Sequence, residues 1–231
     1  MRFDILTLFP EMVESVLATS IPGRAAQSGV VSYHVHDIRN WTTDRHNRVD
    51  DRPFGGGPGM VMTCQPLHDA VLAVEKMNEQ PAERILLSPQ GRRLDQATVE
   101  ELASLPRILL IAGRYEGIDE RVIEELNPRE ISIGDYVLSG GELPALTLAD
   151  AVTRLIPGAL GHDDSAQEDS FTIHDDQGHR MLDVPHYTRP RVWQDREVPE
   201  VLISGDHGAV DAWRRAKSEE RTRDRRPDLL E

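Results

Sequence analysis

Two hydrophobic periods alternate along residues 1 to about 156. Phe3 to Leu8, Val30 to Val35, Arg84 to Leu87, Ile108 to Ala112 and Glu130 to Ile133 are short, mostly β-branched or leucine runs of strand length. Between them, Pro10 to Ala18, Pro66 to Lys76, Asp95 to Ala103, Ile118 to Glu125 and Leu143 to Leu155 repeat apolar residues at three- and four-residue spacing, as at Leu67, Val71 and Val74. Apolar strands separated by helices predict an α/β fold with a largely parallel sheet covered on both faces.

Some helix starts carry their own signals. Pro10 and Pro66 suit a first turn, and Asp95 before Gln96-Ala-Thr-Val-Glu has the composition of a capped N-terminus. The pattern breaks at residues 157 to 180, where Pro157, Gly158, Gly161, Gly178 and a run of Asp, Ser and His leave little apolar material. That stretch reads as a linker, mobile or ordered by a partner. Beyond it, Ala209 to Ala216 is the one amphipathic stretch of a small helical domain with little core of its own. The expected organisation is a sheet domain over 1–160, a linker over 161–180 and a helical domain over 181–231.

Composition narrows the class. An apolar fraction of 39% and a charged fraction of 29% are those of a soluble protein. No apolar run approaches the roughly 20 residues of a membrane span. Asp4 inside the first apolar run marks a buried strand rather than a signal peptide. Cys64, the single cysteine, excludes an internal disulfide and fits a reducing cytoplasm. It has no nucleophile signature around it, so a buried small residue is the favoured reading.

The net charge of −14 argues against a general basic coat for nucleic acid. Its distribution matters more. Acids crowd residues 162 to 176 and 195 to 200, whereas Trp213 to Arg226 holds Arg214, Arg215, Lys217, Arg221, Arg223, Arg225 and Arg226 against Glu219, Glu220 and Asp224. A local basic face is compatible with that pattern.

Glycine-rich loops carry the candidate chemistry. In Ile131-Ser-Ile-Gly-Asp-Tyr-Val-Leu-Ser-Gly-Gly-Glu-Leu-Pro144, Gly134, Gly140 and Gly141 permit close approach of backbone to a flat, polar ligand, and Glu142 and Pro144 open a helix. Gly113-Arg-Tyr-Glu-Gly-Ile-Asp-Glu-Arg121 follows a strand directly, as does Leu87-Ser-Pro-Gln-Gly-Arg92. In open α/β sheets ligands gather outside the carboxyl ends of the strands, where such loops would lie side by side. A third glycine segment, Asp50-Asp-Arg-Pro-Phe-Gly-Gly-Gly-Pro-Gly-Met60, lacks the Lys-Ser/Thr of a P-loop and reads first as a plain loop. Flanking Arg45, His46, Arg48 and Arg52 suit an RNA backbone. Glu168 and Asp169 lie in the acidic stretch after Arg154, and a carboxylate opposed to an arginine can take a substrate proton while the cation steadies the developing charge. His34 with His36, and His174, Asp175, Asp176 and His179, lack the spacing of a metal site and read as surface histidines.

Taken together and in order, these segments and Pro185-His-Tyr-Thr-Arg-Pro190 resemble bacterial tRNA (guanine-37-N1)-methyltransferases of the TrmD type, almost end to end. The resemblance implies a SPOUT methyltransferase fold with a C-terminal trefoil knot in the sheet domain, which periodicity does not reveal. It implies S-adenosylmethionine held at Leu87, Pro89, Gly113, Tyr115, Glu116, Ser132, Ile133, Gly134, Asp135, Tyr136, Val137, Leu138, Gly140, Gly141 and Pro144. It further implies Asp169 as general base, Arg154 as its partner at O6 of guanine, Mg2+ with unassigned ligands, and tRNA as substrate. Members of the family are cytoplasmic homodimers whose active site is shared between subunits. Between Phe171 and Pro185 the chain is longer and more polar than those members. Two rival readings remain: a SPOUT methyltransferase for another RNA position, and an RNA-binding protein that keeps the fold as a scaffold. An acid and a cation at 169 and 154 speak against the second.

Overall fold

Arg107–Ala112 is buried at every position and forms the central strand of a five-stranded sheet. The computed structural model describes residues 1–160 and 169–231, and the chain divides into two units, Met1–Gly161 and His162–Glu231.

In the first unit the order is β1 (Arg2–Thr7), α1 (Pro10–Leu17), α2 (Ser20–Gln27), β2 (Ser32–Asp37), β3 (Asp50–Asp51), β4 (Val61–Met62) and α3 (Cys64–Glu75). There follow β5 (Glu83–Arg93), α4 (Gln96–Ala103), β6 (Arg107–Ala112), α5 (Glu120–Leu126), β7 (Arg129–Ser132) and α6 (Glu142–Thr153). The sheet runs β2-β1-β6-β5-β7, and every neighbouring pair is parallel. β3 and β4 make a small antiparallel pair.

Successive side chains on a strand point to opposite faces, and here both faces are covered. Phe3, Ile5, Ile85, Leu87, Ile108 and Leu110 join a core with α1, α4 and α6, while Leu6, Leu86, Leu109 and Ile111 join a second core with α3 and α5. On α3, Leu67, Ala70, Val71 and Val74 form the buried stripe that the spacing predicts. Burying each larger aliphatic side chain contributes roughly 1.5–3 kcal/mol. Asp95 caps α4 as expected, its carboxylate accepting from the Thr98 amide at 2.8 Å.

Asp4 is the exception in this apolar setting. It is fully buried, and it accepts from Arg2 at 2.7 and 2.8 Å, from Arg107 Nε at 2.8 Å, and lies 2.9 Å from His36 Nε2. Arg107, itself buried, also donates to the carbonyls of Val74, Glu75, Asn78 and Gln80, closing the end of α3. Desolvating two such charges is offset only because each is fully hydrogen-bonded.

In the second unit, residues 171–181 fold back as a turn: Phe171 N donates to Met181 O at 2.7 Å, Met181 N to Ile173 O at 2.8 Å, and Asp175 pairs with His179. A short antiparallel pair, β8 (Val192–Trp193) with β9 (Arg196–Glu197), precedes α7 (His207–Arg225). α7 is longer than the amphipathic stretch 209–216 predicts, continuing through the arginine-rich residues. Among the described residues, no helix is long and apolar enough to cross a membrane.

Candidate functional site

Parallel strands deliver their carboxyl ends to one edge, where the register sets Leu87 beside Ala112 and Ile131. β5 pairs with β7 at Leu87, loops out through residues 88–91, and rejoins it at Arg92 opposite the same Ile131. The loop carries exposed Pro89 and returns at Gly91, where a Cβ would stand 2.5 Å from the Glu130 carbonyl carbon. Only glycine lets the backbones pass that closely. Leu94 N then donates to Ser132 O at 2.7 Å, which fixes the exit of β7.

Beyond β7, the buried Ser132 hydroxyl donates to Gly134 O at 2.9 Å and accepts from Gly134 N at 3.2 Å. Gly134 has φ +153°, and the Tyr136 ring lies where its Cβ would be. This tight turn leaves Asp135, Tyr136, Val137 and Leu138 exposed, Val137 at 82%. Residues 135–138 thus form an exposed rim at this edge, with apolar Val137 and Leu138 beside Tyr136 and Asp135.

The chain then returns to β6. Gly141 N donates to Gly113 O at 2.8 Å, and Arg114 forms an isolated bridge with Gly140. A Cβ at Gly141 would meet Ala112 Cα at 2.7 Å, and one at Gly140 would meet Arg114 Nε at 2.3 Å. Glu142, fully buried in the first turn of α6, accepts from the Thr7 hydroxyl at 2.8 Å, and its other oxygen lies 2.8 Å from Arg114 Nε. That second contact is ionic, the N–H being misaligned for a hydrogen bond. The Arg114 guanidinium reaches Ser139 O at 3.2 Å and lies 4.3 Å from the Phe9 ring centroid. One carboxylate therefore ties the end of β1 and the loops after β6 and β7 together at a helix N-terminus, which favours negative charge.

The glycine loop of residues 50–60 belongs to the same edge. Glu116 N donates to Met60 O at 3.0 Å and Met62 N to Gly117 O at 2.9 Å, while the Glu116 side chain packs where a Cβ on Gly59 would be. Tyr115 sits at φ +63°. Burial and the negative charge of Asp50 raise its phenol above the usual value, so it stays a neutral donor. Gly55, Gly56 and Gly57 take positive φ at the tip of the loop, and Phe54 there is 99% exposed. Cys64 is half-buried, and burial followed by Asp119 pushes its thiol up, away from a reactive thiolate.

The cofactor residues expected from the sequence converge on this edge, with Pro144 in the first turns of α6. Arg154 does not join them within this unit. α6 runs back across the sheet for twelve residues, about 18 Å, farther than an arginine side chain reaches. Thr153, just before Arg154, shares a 2.6 Å hydrogen bond with Tyr33, near the amino ends of β1 and β2. Asp169 lies in the second unit, where its carbonyl accepts from the Thr172 hydroxyl at 2.7 Å. Glu168 lies outside the described residues. Among the described residues, no group of three or more His, Cys, Asp or Glu is placed to hold a metal ion.

Thr7 was missed by the sequence reading, Arg114 and Gly59 entered it only within the glycine segments 113–121 and 50–60, and Glu142 entered it only as a helix opener. For Arg114 and Glu142 the sequence signal is a charged residue beside a glycine turn, after Gly113 and after Gly141.

Comparison with known proteins gives consistent matches. The family described as tRNA (Guanine-1)-methyltransferase TrmD matches residues 1–231. A tRNA (guanine-N(1)-)-methyltransferase of Halorhodospira halophila is 56% identical over 229 residues, covering 99% of this chain and 84% of the relative. Proteins of the same name from Chloroflexus aurantiacus and Pseudomonas syringae pv. tomato are each 55% identical over 100% of this chain, covering 88% and 90% of their own lengths.

Proposed function

For a chain that belongs to the tRNA (guanine-1)-methyltransferase family, TrmD, an enzyme family of the SPOUT class, we propose transfer of a methyl group from S-adenosylmethionine to N1 of guanosine 37 in tRNA. The observation that carries this reading is the convergence of loops 87–91, 113–117 and 132–141 on one sheet edge, in a chain matched over its whole length.

The residues fit the donor. Backbone of residues 132–138 would meet the adenine edge, Tyr115 and Glu116 offer a donor and a carboxylate, and Gly140 and Gly141 let the Arg114 side chain and the Ala112–Gly113 backbone pack closely against their loop. S-adenosylmethionine, when bound, supplies a methyl group on a positively charged sulfur. The work of the chain is to raise the nucleophilicity of guanine N1. Asp169 accepts the N1 proton, and Arg154 donates to O6, where the negative charge collects. Holding N1 in line with the methyl group supplies much of the remaining rate.

Arg154 and the glycine loops lie at opposite ends of α6, which supports an active site shared between two subunits of a homodimer. The close passages at Gly91 and Gly141 support a knotted sheet domain. Among the described residues, no group of three or more His, Cys, Asp or Glu is placed to hold the Mg2+ that the resemblance implies. Recognition of tRNA falls to the loop of Arg45–Arg52 and to the second unit, and a cytoplasmic location accords with the single cysteine.

The test is substitution of the two proposed catalytic residues. Asp169→Asn and Arg154→Ala should each lose methyl transfer in single turnovers by 100-fold or more, on the order of general-base and electrostatic contributions, with donor affinity retained. Full activity in Asp169→Asn would remove the carboxylate from the mechanism.

A further inference from the structure

The carboxyl end of α6, where Arg154 stands, is fastened to the sheet by residues that the proposed chemistry does not use. Thr153, the last residue of the helix, is fully buried, and its hydroxyl shares a 2.6 Å hydrogen bond with the Tyr33 hydroxyl of β2, 120 positions away. A buried hydroxyl needs such a partner, and this one ties the helix end to a strand.

Tyr33 is itself held in place. Its ring stacks on that of Phe3, with centroids 5.5 Å apart and planes inclined at 23°, and the register sets the two residues side by side on β2 and β1. Phe3 is fully buried in the core against which Leu155 and Ile156 also pack. Burial raises the Tyr33 phenol above its usual value, the bond to Thr153 opposes this, and the charge of Asp150 adds to it. The group therefore stays a neutral hydroxyl at physiological pH and keeps its bond.

Arg154 follows Thr153 directly. It caps α6 in helical conformation, and its amide donates to Asp150 O at 3.1 Å. The last carbonyls of a helix lack partners within it, so its final turn frays unless something outside holds it. Here Leu155 N donates to Val152 O at 3.0 Å and Ile156 N to Thr153 O at 3.1 Å, so the turns that leave the helix hang from its anchored end. Gly158, at φ +81°, then brings the chain against the residues that lead into β2, where a Cβ on it would stand 3.5 Å from Val30 Cγ1. Arg154 is thus set between two attachments to one strand, and a small tilt of its backbone would be magnified along its long side chain.

We propose that Tyr33 is a positioning residue for methyl transfer, holding the last turn of α6 through Thr153 so that Arg154 is delivered to O6 of the guanine. The proposal rests on the role of Arg154 proposed above.

The test measures single-turnover methyl transfer, with donor and tRNA affinities, in variants of the full chain. Tyr33→Phe should slow the methyl-transfer step about tenfold, less than the roughly 100-fold that a displacement of about 1 Å costs, with both affinities within about twofold of wild type. Thr153→Val, which removes the other hydroxyl, should do the same. Thr153→Ser, which keeps the hydroxyl and loses a buried methyl group, should react within about twofold of the wild-type rate. In an Arg154→Ala background, Tyr33→Phe should change the rate by less than about twofold, because no guanidinium is left to place. An equal loss in both backgrounds overturns the proposal, as does a wild-type rate in folded Tyr33→Phe, and both results leave the methyl-transfer reading intact. A Thr153→Ser rate as low as that of Thr153→Val assigns the effect to packing and overturns it too. If Tyr33→Phe fails to unfold cooperatively, Thr153→Val decides by the same comparison. Full activity in Arg154→Ala overturns the role of that arginine and this proposal with it.

Discussion

Glu142 Oε2 stands 2.8 Å from Arg114 Nε in a corner where the other oxygen of Glu142 accepts from Thr7. This contact joins the two loops proposed to hold the methyl donor, and neither partner need touch the donor for it to matter. We predict that Glu142→Gln weakens S-adenosylmethionine binding about tenfold, on the order of 1.4 kcal/mol, while tRNA affinity stays within twofold. Thr7→Val should have a smaller effect, about 1 kcal/mol or less, the net worth of one hydrogen bond. Calorimetric titration of the folded variants checks both, and unchanged donor affinity in Glu142→Gln would remove the corner from the account.

Glycines in the two kinds of loop should respond differently. At Gly141 an added Cβ meets backbone at 2.7 Å, so the loops must separate, and Gly141→Ala is expected to lose donor binding by tenfold or more. At Gly56 nothing lies within 4 Å, and the cost of Gly56→Ala is its positive φ alone, roughly 1–2 kcal/mol, with donor binding retained. Thermal unfolding and donor titration of the pair separate packing from conformational strain.

Asp4 should make the sheet unit acid-sensitive. Burial would push its carboxyl up, but hydrogen bonds from His36, Arg2 and Arg107 overcome this and hold it well below the usual carboxylate range. A depressed folded-state value means that its stabilisation is present above about pH 4, the ordinary carboxylate value, and is lost as pH falls below it. Asp4→Asn should cost about 3–5 kcal/mol at neutral pH, because Arg107 is left buried without its counter-charge. Its unfolding free energy should then vary less between pH 5 and 3 than that of wild type. Denaturant titrations across that range provide the measurement.

Much of this fold is legible in the residues, for identifiable reasons. β1, β6 and the Ile85–Leu87 part of β5 are buried on both faces, so their apolar runs stand out, and the stripe on α3 shows its period. α2 was not legible, because Ser20-Ile-Pro-Gly23 reads as a turn and its buried residues are only Pro22, Gly23 and Ala25. The second half of α7 was hidden by its arginines, since its buried contacts are the polar Ser218 and Thr222. The glycine loops announced the candidate site, yet the bond that closes it spans 135 positions, from Thr7 to Glu142. No local pattern encodes such a pair, because sheet order brings β1 and β6 together.

The separation of Arg154 from the glycine loops yields a prediction about assembly. At limiting donor, Gly141→Ala alone should keep about a tenth or less of wild-type activity, and Asp169→Asn alone about a hundredth or less. Co-expressed, they should recover about a quarter of wild-type activity, since half the dimers are mixed and each mixed dimer has one intact shared site. A site contained in a single chain predicts no recovery.

The most direct measurement is the position of the methyl group on tRNA. Purified protein, S-adenosylmethionine and unmodified tRNA should give 1-methylguanosine at position 37, located by mass spectrometry of nuclease fragments. A tRNA that binds and emerges unmethylated would contradict the account, and a methyl group at another nucleotide would assign the chain to a different RNA target.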